Sequence, residues 1–264
     1  MDRTWARVAI TLALLLPATA LAGGPGPVIS LRADSWYPIN GDPAAPRPGF
    51  AIEILDEIWS ADGYQLDYQL DASWADSLAQ VRNADIDCVV GAYITDAPDL
   101  LFPKEHLILD EMSFYVRHDN DWQFTGVDSL GEVRLAVMEA YSYGETLDQW
   151  VAARPHQIHV GSGHDGLDDN LRALVTGDAS VLIESTLVMS ARLEGGEFAH
   201  LVRRAGVAPE REALYVACAP DLESSRIYLD SYDAGMHQLR ASGRLAEILE
   251  RYAIPESFAG EVLD

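Results

Sequence analysis

The residues that could do chemistry in this chain are carboxylates, hydroxyls and aromatic rings that gather where short apolar runs end. Ile86-Asp87-Cys88-Val89-Val90 leads into Gly91-Ala92-Tyr93-Ile94-Thr95 and then into Asp96-Ala97-Pro98-Asp99. A buried strand that opens into polar groups at its C-terminal end is where ligands sit in open α/β sheets. Any strand that meets a loop has the same pattern. Ser142-Tyr143-Gly144-Glu145 follows the strand-like Arg134-Leu135-Ala136-Val137-Met138 and reads as a capping box, Ser with Glu three positions on. The free N–H groups of such a helix start could also hold a polar or anionic ligand group.

Two louder motifs carry less. Gly161-Ser162-Gly163-His164-Asp165-Gly166 has the spacing GxGxxG, and Glu184 follows Gly166 by 18 positions, where a ribose-binding acid would stand. However, Asp165, Asp168 and Asp169 crowd the helix start that would have to attract a pyrophosphate. Ordinary turn chemistry accounts for the glycines. His156, His159 and His164 lack the HExxH spacing and have no Cys companion, so they read as loop and edge residues and not as a metal set. There is no GxSxG, CxxC or P-loop. No catalytic residue, metal or cofactor is assigned.

The elements that must position these residues alternate. A strand over 28–33 precedes a helix carrying Phe50, Ile54, Leu55, Ile58 and Trp59 at helical spacing, closed by Asp62-Gly63. Leu66, Tyr68 and Leu70 alternate as a strand, Trp74, Leu78 and Val81 mark a short helix, and 88–92 is a third strand. After a run at 112–116 the pattern restarts, with strands at 134–138, 158–160 and 181–183 and helices at 144–153, 167–176 and 186–193. A strand at 213–219 precedes a helical tail through Tyr252. This order predicts parallel sheets with crossover helices, arranged as two α/β units with a small-molecule cleft between them.

Composition narrows the partners. The net charge of −24 repels nucleic acid and anionic lipid and tolerates a cationic ligand. Arg3 and Arg7, an apolar stretch over 8–16 and Ala20-Leu21-Ala22 have the form of a cleavable signal peptide over 1–22. The apolar stretch is short of the ~20 residues that span a bilayer. The expected compartment is the periplasm, where a Cys88–Cys218 disulfide is allowed, although both cysteines sit in apolar runs where free thiols are common.

Taken together, the chain resembles the family 3 extracellular solute-binding proteins that serve ABC importers. Trp36-Tyr37-Pro38 is similar to the family's early aromatic-proline loop, and PGFAIEILDEI (48–58) to its first helix. GAYIT (91–95) is similar to the end of its third strand, and DSLGEVRLAV (128–137) to the start of its second half. DNLRALVTGDASVLIES (169–185) and SGRLAEILERY (242–252) resemble its later helices and strand. The resemblance implies an α/β, two-lobed periplasmic-binding-protein-like fold of type II, each lobe a mostly parallel sheet flanked by helices. Lobe 1 would comprise 23–112 and 213–264, and lobe 2 would comprise 113–212. It also implies a monomer whose partners are a small polar solute and the membrane permease of an ABC importer.

The candidate ligand-binding residues are Trp36, Tyr37, Tyr93, Thr95, Ser142, Tyr143, Gly144 and Glu184, the last at the position that the resemblance gives to the family's acid. Trp36, Tyr37 and Tyr93 would pack on the ligand, Thr95 and the turn from Ser142 to Gly144 would hydrogen-bond it, and Glu184 would pair with a positive group. The family's carboxylate-clamping Arg falls on Pro98, between Asp96 and Asp99, so a neutral or cationic ligand is expected. Arg32 and Arg47 could replace the clamp. An exported lyase or dehydratase on the same fold is the rival reading, with Glu184 as its acid or base. A periplasmic ligand-sensing module is another. Mass spectrometry of the exported protein is expected to find Gly23 at the N-terminus, and an intact leader would contradict the signal-peptide assignment.

Overall fold

The computed structural model describes residues 26–260, and the expected leader with its cleavage position lies outside the described residues. The chain starts with β1 (Val28–Ala33), α1 (Phe50–Ala61), β2 (Gln65–Leu70), α2 (Trp74–Arg82) and β3 (Cys88–Ala92). α1 forms as its spacing dictates: Phe50, Ile54, Leu55, Ile58 and Trp59 are all buried on one face. β1 pairs in parallel with both β2 and β3. The second unit repeats the design with β5 (Leu135–Met138), α3 (Glu145–Ala152), β6 (Ile158–Gly161), α4 (Gly166–Thr176), β7 (Val181–Ser185) and α5 (Thr186–Leu193). β5 pairs in parallel with β6 and β7. β7 is buried along its whole length, which is why it reads as an apolar run without alternation. α6 (Glu223–Ser242) and α7 (Arg244–Arg251) end the chain, and α6 packs on α1.

Two long strands tie the units together. β4 (Ile108–Arg117) and β8 (Val202–Cys218) pair antiparallel along most of their length, and the sheet order is β2-β1-β3-β8-β4-β7-β5-β6. The C-terminal end of β8 pairs with β3, while β4 pairs with β7. The expected strands at 112–116 and 213–219 are therefore only parts of longer ones. The missed portion of β8 is rich in Arg and Glu, and it alternates between buried and exposed without an apolar signal. The expected helical tail is two helices, broken at Gly243, which takes a left-handed conformation.

The GxGxxG run serves packing. A Cβ on Gly161 would stand 2.3 Å from the Gly166 carbonyl oxygen, and one on Gly166 would stand 2.7 Å from Met138 Cε, so the glycines let β6 and α4 approach closely. Among the described residues no helix is long and apolar enough to cross a membrane.

Cys88 on β3 and Cys218 on β8 are directly opposed in register and form a disulfide, which the sequence left open. It closes a span of 130 residues that contains the whole second unit. Replacing both cysteines with Ser is expected to destabilise the protein by about 2–5 kcal/mol, a fall of roughly 5–15 °C in melting temperature. Calorimetric melts of the two proteins under non-reducing conditions check this.

Candidate functional site

The C-terminal ends of four strands converge. Asp34 and Trp36 follow β1, Tyr93 and Thr95 follow β3, the Tyr141–Gly144 turn follows β5, and Glu184 lies at the end of β7. The two parallel units thus present the C-terminal ends of their strands to each other, which is where open α/β sheets place ligands.

The side chains meet across this cleft. Trp36 is 5% exposed, and its Nε1 donates to Glu184 Oε1 at 2.9 Å. The same oxygen accepts from the Ser185 N–H at 2.8 Å. Tyr141 Oη donates to Asp34 Oδ2 at 2.6 Å, and the Trp36 ring lies edge-on to both Tyr141 and Tyr93. Tyr93 Oη donates to Asp110 Oδ2 at 2.7 Å, and Ser185 Oγ donates to Asp110 Oδ1 at 2.8 Å. Thr95 Oγ1 donates to Glu212 Oε2 at 3.0 Å and lies 3.4 Å from Ser142 Oγ.

The turn before α3 differs from the expected capping box. Ser142 Oγ donates to Asp148 Oδ2 at 2.6 Å and the Tyr143 N–H donates to Asp148 Oδ1 at 2.8 Å, while Glu145 Oε1 accepts from the Gln149 amide. Gly144 is the residue before the helix, so the reciprocal partner of Ser142 is Asp148, one turn further in. Gly144 has φ 87°, and a Cβ there would stand 2.9 Å from Glu212 Oε1. Only glycine fits both the backbone and the neighbour.

Not every expected residue joins the site. Tyr37 is 41% exposed and packs against Tyr252, away from the cleft. Tyr143 stays at the cleft: its buried ring lines the same cavity as Ser142 and Gly144, and its hydroxyl accepts from the Met138 N–H at 2.7 Å, which fixes the loop after β5. Arg32 pairs with Asp67 and Arg47 donates to the Arg251 carbonyl, so neither replaces the missing clamp. Asp99 is exposed and paired with Arg82 at 2.8 Å. Asp96 stays at the cleft: Oδ2 accepts from Trp74 Nε1 at 3.2 Å, and Oδ1 is buried without a partner.

Sequence reasoning missed Asp34, Tyr141, Asp110 and Glu212. Asp34 and Tyr141 could have been found as polar residues just past an expected strand. Asp110 and Glu212 could not, because they become neighbours only when β4 and β8 pair, where they are directly opposed. Like charges directly opposed across strands repel.

Two compartments remain between the side chains. The inner one, bounded by Asp34, Trp36, Asp96 and Tyr141, has about 10 Å³, room for about one water. The other, bounded by Tyr93, Asp110, Met112, Leu147, Ala208 and Glu212, has about 60 Å³. No Arg, Lys or His lines either compartment. Among the described residues no group of three or more His, Cys, Asp or Glu is placed to hold a metal.

Burial raises these carboxylates. Desolvation pushes Glu184 up to about 7, with Asp110 and Asp34 adding repulsion. Asp34 is pushed up to about 6 and Asp96 to about 7, again chiefly by burial. A carboxyl group raised on folding holds more protons in the native state. Its contribution to stability is complete below the unfolded value near 4 and is lost as pH climbs through 6 to 7. The melting temperature of Glu184→Gln and Asp34→Asn is therefore expected to fall less than that of wild type between pH 5 and pH 8. Parallel slopes in a pH series of melts would contradict the assignment.

No family model matches the chain, and no curated protein matches it. Many solved structures do match in shape. A histidine kinase sensor domain with similarity to periplasmic binding proteins superposes with TM-score 0.73 at 15% identity, covering 86% of this chain and 96% of that one. An ancestral arginine-binding protein bound to arginine gives 0.70 at 14% identity, covering 87% and 99%. A structure from work on glutathione import through a cystine ABC importer of Streptococcus mutans gives 0.73 at 13% identity, covering 88% and 98%. At these identities the likeness is one of fold, and the chain has the two-lobed, periplasmic-binding-protein-like architecture.

Proposed function

We propose that this chain is an exported, periplasmic solute-binding protein. It captures a small polar solute between lobe 1 (23–112 and 213–264) and lobe 2 (113–212), and delivers it to an ABC-type importer. The strand ends of both units face one cleft, so a ligand there contacts both lobes only when they are together, and its differential contacts drive closure. Structural neighbours described as binding arginine or as belonging to cystine and glutathione import support a solute-binding role.

One observation carries the ligand class. Every charged side chain that lines the two compartments is a carboxylate, and Asp110 and Glu212 oppose each other without a cation between them. A ligand carboxylate would lose its water and meet only like charge. A compact ligand with N–H donors or a positive group, and an apolar part facing Met112 and Leu147, fits. The acid that meets it is Glu212 with Asp110, and not Glu184, which is held by Trp36 and Ser185.

The sensing reading draws support from the kinase sensor domain among the neighbours. The enzyme reading needs Glu184 as acid or base, and Glu184 lines neither compartment.

A melting screen against small ammonium, guanidinium, neutral and acidic compounds tests this reading. A cation at a hundred-fold over its Kd is expected to stabilise wild type by about 2.7 kcal/mol. Glu212→Gln is expected to lose that gain by about tenfold or more in affinity, read by calorimetric titration. Tight binding of glutamate or aspartate would overturn the ligand class. Uptake of the bound compound in cells with and without the protein separates transport from sensing.

A further inference from the structure

The inner half of the cleft, between Trp36 and Glu184, is already filled by the protein. Asp34 and Trp36 come from the loop after β1, and Tyr141 and Glu184 from the ends of β5 and β7. Their two bonds, Tyr141 Oη to Asp34 Oδ2 at 2.6 Å and Trp36 Nε1 to Glu184 Oε1 at 2.9 Å, both cross from one parallel unit to the other. Asp34 is 8% exposed and Glu184 1%, and about 10 Å³ remains beside them. The Tyr141 ring touches Trp36 edge-on and brings a phenol proton to a carboxylate, as the donor group of a ligand would.

We propose that Tyr141 is a built-in occupant of the cleft and that the Tyr141–Asp34 and Trp36–Glu184 bonds latch the two lobes together without solute. The inference rests on the cleft being the solute site, as proposed above, because the latch fills half of it and restricts the ligand to the compartment beside Glu212. A solute that reaches deeper must displace Tyr141, so the residue sets which ligands fit as well as when the lobes part.

The surroundings make the latch sensitive to acid. The Asp34 carboxyl group faces Tyr141, Asp71 and the Tyr68 phenol, while its main-chain carbonyl accepts from the Asn40 amide. Glu184 faces Trp36, Asp34, Asp110 and the phenols of Tyr93, Tyr115, Tyr141 and Tyr143. Arg204 stands beside Tyr115 and pairs with Glu111, but among the described residues no cation bonds Asp34 or Glu184, so the closed state buries two carboxylates that hydrogen bonds and protons relieve. Opening returns them to water and to ordinary acidity. Closing therefore takes up protons, and the latch holds best at low pH and loosens as pH rises through 6 to 7.

The test uses no solute, so it is decided independently of whether a ligand is found. Spin labels on Ala61→Cys and Ala153→Cys, both exposed and one in each unit, report the distance between lobes by pulsed electron resonance. Ligand-free protein at pH 5.5 is expected to show one short distance that matches the closed structure, with a longer population growing by pH 8. Tyr141→Phe with Trp36→Phe keeps an aromatic ring at each position and removes both donors, and is expected to lower the closed-to-open ratio at least about tenfold. Circular dichroism and melting confirm that this variant is folded. Glu184→Gln, which keeps an acceptor without charge, is expected to stay closed at pH 8. An open wild type at pH 5.5, or an unchanged distance in the double variant, overturns the latch. Failure of the solute screen alone would leave it standing.

Discussion

The rest of the structure depends on burying carboxylates without a paired cation; Arg82 acts on Asp96 from nearby but pairs with Asp99. Asp34, Asp96, Asp110 and Glu184 lie at or beneath the cleft, and each is held above the ordinary carboxylate range by loss of water. An isolated buried charge is costly, and it persists only where hydrogen bonds or protons offset the loss. Here the donors are aromatic: Tyr141 serves Asp34, Tyr93 serves Asp110, Trp36 serves Glu184 and Trp74 serves Asp96. The aromatic wall of the cleft thereby does two things at once, supplying apolar packing and neutral donors. The proposed ligand class rests on the same chemistry, since the remaining acceptors suit a donor and repel an anion.

The cleft can exist because β4 and β8 run through both halves of the sheet. Each parallel unit buries its own core, while these two strands carry hydrogen bonds from one unit to the other. Asp110 and Glu212 sit on this pair, so the floor of the cleft is the connection between the lobes. The disulfide pins the first unit's end of that connection, joining β8 to β3.

Local motifs proved to be poor guides to the chemistry. The GxGxxG run has dinucleotide spacing, but its glycines are required because β6 and α4 touch there. Ser142 and Glu145 have capping-box spacing, but Asp148 takes the hydrogen bonds because it lies on the helix face that Ser142 meets. In both cases spacing was legible and the partner was not. A partner depends on which groups come within about 3 Å, and sequence separation does not specify that.

What the sequence by itself determined is the part of this protein that local physics controls. Alternating strands and helices, the buried face of α1, the apolar runs of β3 and β7 and the break at Gly243 all follow from periodicity and backbone preference. Trp36, Tyr93, Thr95, Ser142, Tyr143, Gly144 and Glu184 could be named as candidates because each stands at or just past the end of a strand, and those strand ends do converge. Tertiary structure alone decided the rest. It turned Tyr37 outward against Tyr252, bonded Cys88 to Cys218 and spent Glu184 on Trp36. It also raised Asp110 and Glu212 from unremarkable strand residues to the acids of the cleft. Their positions lie about a hundred residues apart in sequence, and only the register of two long strands makes them neighbours.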